Sequence, residues 1–115
     1  MKVWAAVSQD YDSERTHELY QDRDSAMAWL KRRWQEARRD EARTYEYWVR
    51  DYTEKALSAG DDMKAYYEEK ATNPDVPVTT DIKESGDYFA EFRDGYGRHF
   101  VQERKVIATE TEGDE

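Results

Sequence analysis

The chain has 115 residues, a length that suits one domain with a single core. Hydrophobic residues make up 37% of it, charged residues make up 39%, and the formal net charge is −9. With no cysteine, disulfides and zinc sites of the cysteine type are excluded. The 4 tryptophans, 9 tyrosines and 3 phenylalanines make up for the few aliphatic residues, so the composition predicts a folded protein.

Two β-strands are predicted at the N-terminus. Residues 2–8 alternate, with Val3, Ala5 and Val7 on one side and Lys2, Trp4, Ala6 and Ser8 on the other, and residues 16–20 offer a second short strand after a polar turn. The apolar start is too short for the core of a signal peptide, and no run approaches the roughly 20 apolar residues that span a bilayer. We therefore expect a soluble cytoplasmic protein.

A long helical segment follows, capped by Asp22 or Asp24. Its apolar residues recur at steps of three and four, which is the period of a helix with one face toward a core. The stripe consists of Ala26, Leu30, Trp34, Ala37, Tyr45, Trp48, Tyr52 and Ala56. Because Glu41 interrupts this stripe, and one helix would be about 50 Å long, we expect a break near residues 38–44.

A second helix is predicted over about residues 62–71, after a helix end at Ser58-Ala59-Gly60 where the glycine takes a left-handed conformation. Residues 72–86 form a crossing loop. Two further strands flank Asp94-Gly95-Tyr96-Gly97, a strong β-hairpin signal. The acidic tail, residues 109–115, is predicted to be disordered.

These elements predict an α+β fold in the order β-β-α-α-β-β. Two hairpins form one antiparallel sheet, and the helices cover one of its faces. Residues 1–108 form the single domain.

No catalytic, cofactor or metal motif stands out. The two histidines, His17 and His99, fall in separate strands without ligand-spaced neighbours, so we interpret them as side chains at the sheet surface. The chain also lacks the glycine-rich phosphate loops and the nucleophile-elbow motif. We therefore expect no enzymatic activity, no cofactor and no bound metal.

Four arginines are spaced along one side of the long helix: Arg32, Arg39, Arg43 and Arg50. Such a stripe could bind phosphates. Acidic residues at helical spacing are expected to pair with it: Glu36 with Arg32 and Arg39, Asp40 with Arg43, and Glu46 with Arg50. Direct nucleic-acid binding is therefore not expected.

The excess acid lies late in the chain. Residues 22–59 sum to a charge of +1, whereas residues 60–115 sum to −8. This half would attract a protein partner with a basic surface, and exposed aromatic and arginine side chains could anchor the contact. The candidate partner-binding residues are Asp61, Asp62, Glu68, Glu69, Tyr47, Tyr67, Arg39 and Arg43.

The opening of the chain carries a resemblance. A strand from Lys2 to Val7 runs into Asp10-Tyr11-Asp12, and after a short strand Asp24-Ser25-Ala26-Met27-Ala28 opens a helix. This resembles small proteins of phages, archaeal viruses and their hosts. The small size, the acid excess and the lack of cysteine are similar to those of anti-CRISPR and antirestriction inhibitors. The resemblance implies a viral inhibitor that occupies a surface of a nuclease complex in the host cytoplasm, and it assigns no individual residue.

The leading hypothesis is a non-enzymatic acidic protein-binding module, in the form of a viral inhibitor of a host nucleic-acid-processing defence complex. One alternative is a homo-oligomeric accessory protein with an aromatic helical interface, and a homodimer is one form that it could take. The other is a nucleic-acid-binding protein that uses the arginine stripe.

Overall fold

The computed structural model describes residues 1–10 and 12–106. Within them, the elements are β1 (Lys2–Gln9), β2 (Glu14–Tyr20), α1 (Arg23–Ser58), α2 (Asp61–Thr72), β3 (Lys83–Ser85), β4 (Phe89–Asp94) and β5 (Gly97–Lys105). The predicted tail, residues 109–115, lies outside the described residues.

The strands form one antiparallel sheet in the spatial order β2-β1-β5-β4-β3. The predicted hairpins are β1–β2 and β4–β5, and they join because β1 pairs with β5 along its whole length, from Lys2 opposite Lys105 to Gln9 opposite Arg98. The α+β fold is confirmed. The segment predicted as a crossing loop adds a fifth strand, the three-residue β3, which pairs with β4.

The first half of α1 covers one face of this sheet. Leu30 is fully buried there against Phe92 and Val101, together with Ala6 and Ala26. Asp22 caps the helix start, because its Oδ1 accepts a hydrogen bond of 2.7 Å from the backbone N–H of Ser25. The predicted helical stripe is therefore a core face as far as Ala37.

The opposite face of the sheet carries a smaller cluster. Ala5, Val7 and Phe100 are buried there, with Phe89 packed beside them. The guanidinium of Arg98 lies 4.6 Å from the centre of the Phe100 ring and covers part of the cluster.

The β4–β5 hairpin turn forms as predicted. Its Gly97 has a φ of +145° and lies so close to β1 that a side chain there would meet the carbonyl oxygen of Gln9. Asp94 Oδ1 accepts hydrogen bonds from the backbone N–H groups of Tyr96 and Gly97. This turn fixes the position of Asp94 near the helix-covered face.

The predicted break in the long helix is wrong, because α1 continues through residues 38–44 without interruption. Glu41 breaks the apolar stripe for another reason: its Oε1 accepts a hydrogen bond of 2.7 Å from the backbone N–H of Thr79. Thr79 is only 3% exposed and belongs to the segment that returns the chain to the sheet. Glu41, in the middle of the helix, thus provides the acceptor for the buried backbone N–H of Thr79.

The second half of α1 leaves the sheet. At 1.5 Å per residue the helix is about 54 Å long, and the molecule measures 77 × 26 × 18 Å. After Ala59 and Gly60 the chain reverses into α2; Gly60 has a φ of −73°, so the predicted left-handed glycine is wrong and this residue is instead the N-cap of α2. Two antiparallel helices therefore project beyond the sheet.

Candidate functional site

The projecting element, which we call the arm, comprises residues 42–72: the distal part of α1 and all of α2. Among the elements that the structure describes, α2 contacts α1 alone. The arm thus presents most of its surface to solvent. Assignment of the distal stripe to the core is wrong for Tyr45, which is 45% exposed, because the sheet ends before this residue is reached.

Five aromatic rings run along the arm in a continuous series, which we call the aromatic ladder. Its members are Tyr47, Trp48, Tyr52, Tyr67 and Tyr66. Successive ring centres are 5.1, 5.4, 6.2 and 5.4 Å apart. These distances are typical of attractive aromatic pairs, each worth about 0.5–1.5 kcal/mol beyond burial. The contact between Tyr52 and Tyr67 joins α1 to α2.

Two lysines lie over the ladder. Lys55 Nζ is 5.5 Å from the centre of the Tyr52 ring, and Lys70 Nζ is 5.7 Å from that of Tyr66. Lys55 also forms an ion pair of 3.1 Å with Asp51, and the hydrogen bond that it donates to this carboxylate raises the pKa of the lysine. One side of the ladder is therefore framed by charges of both signs.

The ladder remains incompletely covered. Within the arm, all of which the structure describes, Ala56 is the one buried side chain, and α2 has none. Tyr47 is 56% exposed and Tyr66 is 47% exposed. The arm therefore holds a layer of aromatic side chains without a second layer over it.

The outer side of α2 is acidic. Its four carboxylates, which we call the acidic edge, are Asp61, Asp62, Glu68 and Glu69. All four residues are exposed. The helical period places them on the side of α2 away from Tyr67, and hence away from α1.

The arginine stripe lies on the opposite edge of the arm and the helix below it. Arg32, Arg39, Arg43 and Arg50 are exposed on the side of α1 that faces away from the sheet and α2. Of the four predicted ion pairs, the described residues show one within 4 Å, Arg43 with Asp40 at 3.9 Å. The predicted pairs of Glu36 with Arg32 and Arg39, and of Glu46 with Arg50, do not form among the described residues.

The structure separates the eight candidate partner-binding residues into three groups. Tyr47 and Tyr67 belong to the aromatic ladder, with Tyr67 half-buried between two other rings. Asp61, Asp62, Glu68 and Glu69 form the acidic edge. Arg39 and Arg43 lie on the opposite edge, so they do not share a surface with the acids.

A second polar constellation lies under α1, on the sheet. His17 Nε2 is 3.0 Å from Ser8 Oγ, which is 2.7 Å from His99 Nδ1, and His99 Nε2 is 2.9 Å from Asp94 Oδ2. We call this the histidine chain. The prediction that both histidines lie at the sheet surface is wrong for His99, which is 6% exposed and packs on Phe92.

One arrangement of protons satisfies the whole histidine chain. The ionised Asp94 accepts from His99 Nε2–H, the free Nδ1 of His99 accepts from the Ser8 hydroxyl, and Ser8 Oγ accepts from His17 Nε2–H. His17 reaches Ser8 because it is the extra residue of a β-bulge: Ala6 pairs with Glu18, and Val7 pairs with Thr16.

The environment shifts two pKa values in this chain. Burial would raise the pKa of Asp94, but the hydrogen bonds from His99 and from the backbone of Tyr96 and Gly97 hold it below the ordinary value. Burial, followed by the positive charges of Arg33 and Arg15, lowers the pKa of His17. Both shifts favour the proton arrangement described above.

A cavity of about 480 Å³ adjoins the histidine chain, between α1, residues 76–79 and the β4–β5 turn; Asp94, His99, Arg33, Glu36 and Glu41 are among the residues that line it. Ser8, His99 and Asp94 are the residue types of a catalytic triad. Ser8 Oγ, however, is engaged by an imidazole on each side. We therefore interpret the histidine chain as a structural link between β1, β2 and β5. No cluster of three or more metal-ligating side chains occurs among the described residues.

Sequence reasoning did not identify Ser8, Asp94 or Glu41 as important. Ser8 gave one signal, since it lies on the core-facing side of β1 with Trp4 and Ala6. A polar residue at that register needs a partner, but the alternation pattern does not name it.

Comparison with protein-family models, with curated proteins and with solved structures gives no match. No helix in the described part of the chain combines the length and the apolar character needed to cross a membrane. The functional proposal therefore rests on the geometry of the arm.

Proposed function

We propose that this protein is a non-enzymatic protein-binding module whose arm carries the binding surface, and that its partner presents a basic surface. One observation carries the proposal: the two-helix arm holds its acidic edge well outside the sheet, where α2 touches α1 alone among the described elements. A surface displayed in this way can enter a groove that the body of the protein could not.

The acidic edge is dense enough to select a basic partner. Four exposed carboxylates fall within the 12 residues of α2, and one of its two lysines, Lys70, lies over the Tyr66 ring of the ladder. Fixed charges of one sign steer encounters and exclude partners of like charge, and their effect weakens as salt increases. Charge complementarity therefore favours a basic partner.

An apolar side chain accompanies the acidic edge on the same helix. Met63, next to Asp62 in α2, is 42% exposed. Interfaces draw most of their affinity from a few anchoring side chains, whereas rim charges mainly set specificity and association rate. The arm offers both kinds of contact within one helix.

The resemblance of the N-terminal segment and of the overall composition to viral inhibitors supports a more specific partner. We propose a host nucleic-acid-processing defence complex, whose nucleic-acid groove is basic, and action in the host cytoplasm. The acidic edge would occupy that groove. Literal mimicry of DNA is not part of this proposal, because residues 22–59 sum to +1.

The test is binding to candidate defence complexes over a salt series. The variant Glu68→Lys/Glu69→Lys should lose about tenfold or more in affinity, with a flatter salt dependence. The matched control Glu18→Lys/Asp87→Lys makes the same change in net charge at exposed positions away from the arm and should bind nearly as the wild type. Equal losses in the two variants, or affinity indifferent to salt, would overturn the proposal.

The arginine stripe supports a second candidate, direct nucleic-acid binding. Among the described residues, three of its four predicted ion pairs do not form, which leaves most of its positive charge without a close acidic partner. A gel shift with DNA and RNA at low salt decides between the two. Retention by the wild type that disappears in Arg39→Glu/Arg43→Glu would favour the second candidate.

A further inference from the structure

We propose that the aromatic ladder is the seam of a symmetric dimer, in which the arms of two copies of this chain pack antiparallel as a four-helix bundle. This inference concerns a surface other than the acidic edge and does not depend on the proposed function. Its occupant is a second copy, for reasons of burial, size and charge.

Burial is the first reason. Helices in proteins owe most of their stability to an apolar face packed against other elements, and a 12-residue helix is marginal alone. α2 has no buried side chain, and it contacts α1 alone among the described elements. A layer of helices needs a second layer over it, and the arm of another copy supplies one of matching length and chemistry.

The second reason is size. The distal part of α1 runs for about 24 Å, and two helices side by side are about 20 Å wide. One broad side of the arm therefore offers about 480 Å², and two copies together bury roughly 1,000 Å², which is the lower limit for a specific interface. The ladder fills the centre of this area with tyrosine and tryptophan, the residues most enriched at interface centres.

Charge is the third reason. The surface around the ladder carries both signs: the Asp51–Lys55 pair, and Lys70 over Tyr66. A two-fold interface brings the same patch of both copies together, so a patch of one sign repels itself. The ladder surface carries Asp51 together with Lys55 and Lys70, whereas the acidic edge carries four carboxylates. Of the two surfaces, the ladder is the one that suits a second copy of an acidic chain.

The antiparallel orientation follows from the shape of the molecule. α1 runs from the sheet into the arm. In a parallel pair the two sheets would lie side by side at the same end of the bundle, where the thin layer of paired helices leaves them little room. The antiparallel pair sends the sheets to opposite ends, and both acidic edges remain outside the seam. The dimer therefore displays two acidic edges to any partner, which would raise the affinity for a partner with two sites.

The test is sedimentation of the purified chain from micromolar to submillimolar concentration. The mass should approach twice the 13.7 kDa of one chain. Tyr47→Ser/Tyr66→Ser, which changes two exposed ladder residues, should raise the dissociation constant by at least about tenfold. The matched control Tyr88→Ser/Tyr96→Ser changes exposed tyrosines on the sheet hairpins, 56% and 81% exposed, and should dimerise as the wild type does. Circular dichroism confirms that each variant is folded.

A wild type that stays monomeric throughout, or equal effects of the two double variants, would overturn the dimer. Open-ended assembly that dissolves in high salt would overturn it as well, since it indicates head-to-tail contact between the acidic edge and the arginine stripe. Glu68→Lys/Glu69→Lys should still dimerise, so the result separates this inference from the proposed function. A monomer that binds a basic partner disproves the dimer alone, and a dimer indifferent to basic partners disproves the proposed function alone.

Discussion

The histidine chain ties together strands that are far apart in sequence. Ser8 stands between His17 and His99: its hydroxyl accepts a hydrogen bond from His17 and donates one to His99. Each hydrogen bond here contributes about 0.5–1.5 kcal/mol, and loss of one partner leaves a buried polar atom whose desolvation costs about 1–3 kcal/mol. The chain therefore makes the sheet sensitive to the protonation of His17.

We expect stability to fall as the pH drops below about 6.5. The folded state lowers the pKa of His17 from its ordinary value of 6.5, so the unfolded chain binds the proton more readily. Stability gained from neutral His17 is present above pH 6.5 and is lost as the pH falls toward the folded pKa. Urea unfolding of wild type and His17→Gln across this range measures it. The variant should show less pH dependence, and parallel profiles would contradict the assignment.

Asp94 affects the stability of the protein in a separate and more acidic pH range. Its folded pKa lies below the ordinary value of 3.8, so the stability it contributes is present above that pH and is lost as the pH falls through the folded pKa. The two groups can therefore be distinguished by the pH at which each loss occurs.

Sequence patterns could place these residues in strands but could not bring them together. The alternation in β1 places Ser8 on the same side of the strand as Trp4 and Ala6, and the hairpin signal predicts the turn at Asp94. The contact of Ser8 with His99 spans 91 residues of sequence, and the contact with His17 needs a β-bulge. Neither leaves a mark on a local pattern, because both arise when separate hairpins meet in one sheet.

Among the elements, α1 contributes most to the architecture. It serves as core helix over the sheet and as one half of the arm, and it changes role near Glu41. At that point the helix contacts the segment that returns from α2, through the hydrogen bond from Thr79 N–H to Glu41. The side chain that interrupts the apolar stripe therefore fixes the base of the arm.

We expect Glu41→Ala to destabilise the protein by about 1–3 kcal/mol, because it leaves the backbone N–H of the buried Thr79 without its acceptor. Glu41→Gln keeps an oxygen at that position and should recover part of the loss. The control Glu36→Ala removes an exposed carboxylate from the same helix and should change stability by about 0.5 kcal/mol or less. Urea unfolding of the three variants measures this; equal effects at the two positions would contradict the role of Glu41.

Helical periodicity predicted both helices, and glycine and proline spacing predicted their ends to within a few residues. Helical periodicity could not show whether a polar residue in the apolar stripe, here Glu41, breaks the helix or binds a neighbouring loop. The difference depends on Thr79, which lies 38 residues after Glu41. The short β3 was missed for a related reason, since three exposed residues become a strand only because β4 offers them an edge.

As a whole, the molecule is elongated. Its radius of gyration is 21.0 Å, whereas a compact chain of this length has about 13 Å. The difference comes from the arm, which adds length without adding a second core. The sequence predicted one domain and its fold class, but not this shape, because the stripe that continues past Ala37 does not reveal whether a sheet lies beneath it.

We expect small-angle X-ray scattering to give a radius of gyration near 20 Å or above at concentrations where sedimentation shows a monomer. The reason is the continuity of α1, since bending the arm back onto the sheet would break helical hydrogen bonds. Arg43→Pro serves as the comparison, because a proline within the helix removes one such bond and kinks it. A wild-type value near 13 Å would contradict the extended arm.

The uninterrupted α1 also fixes the distance between the sheet and the tip of the arm. A helix has a fixed rise of 1.5 Å per residue, so the number of residues between the sheet and Ser58 sets how far the tip stands from the body. A flexible linker of equal length would sample many distances, but this one specifies a single separation. Insertion or deletion of two turns within the arm would change that spacing in steps of about 11 Å while leaving the sheet untouched.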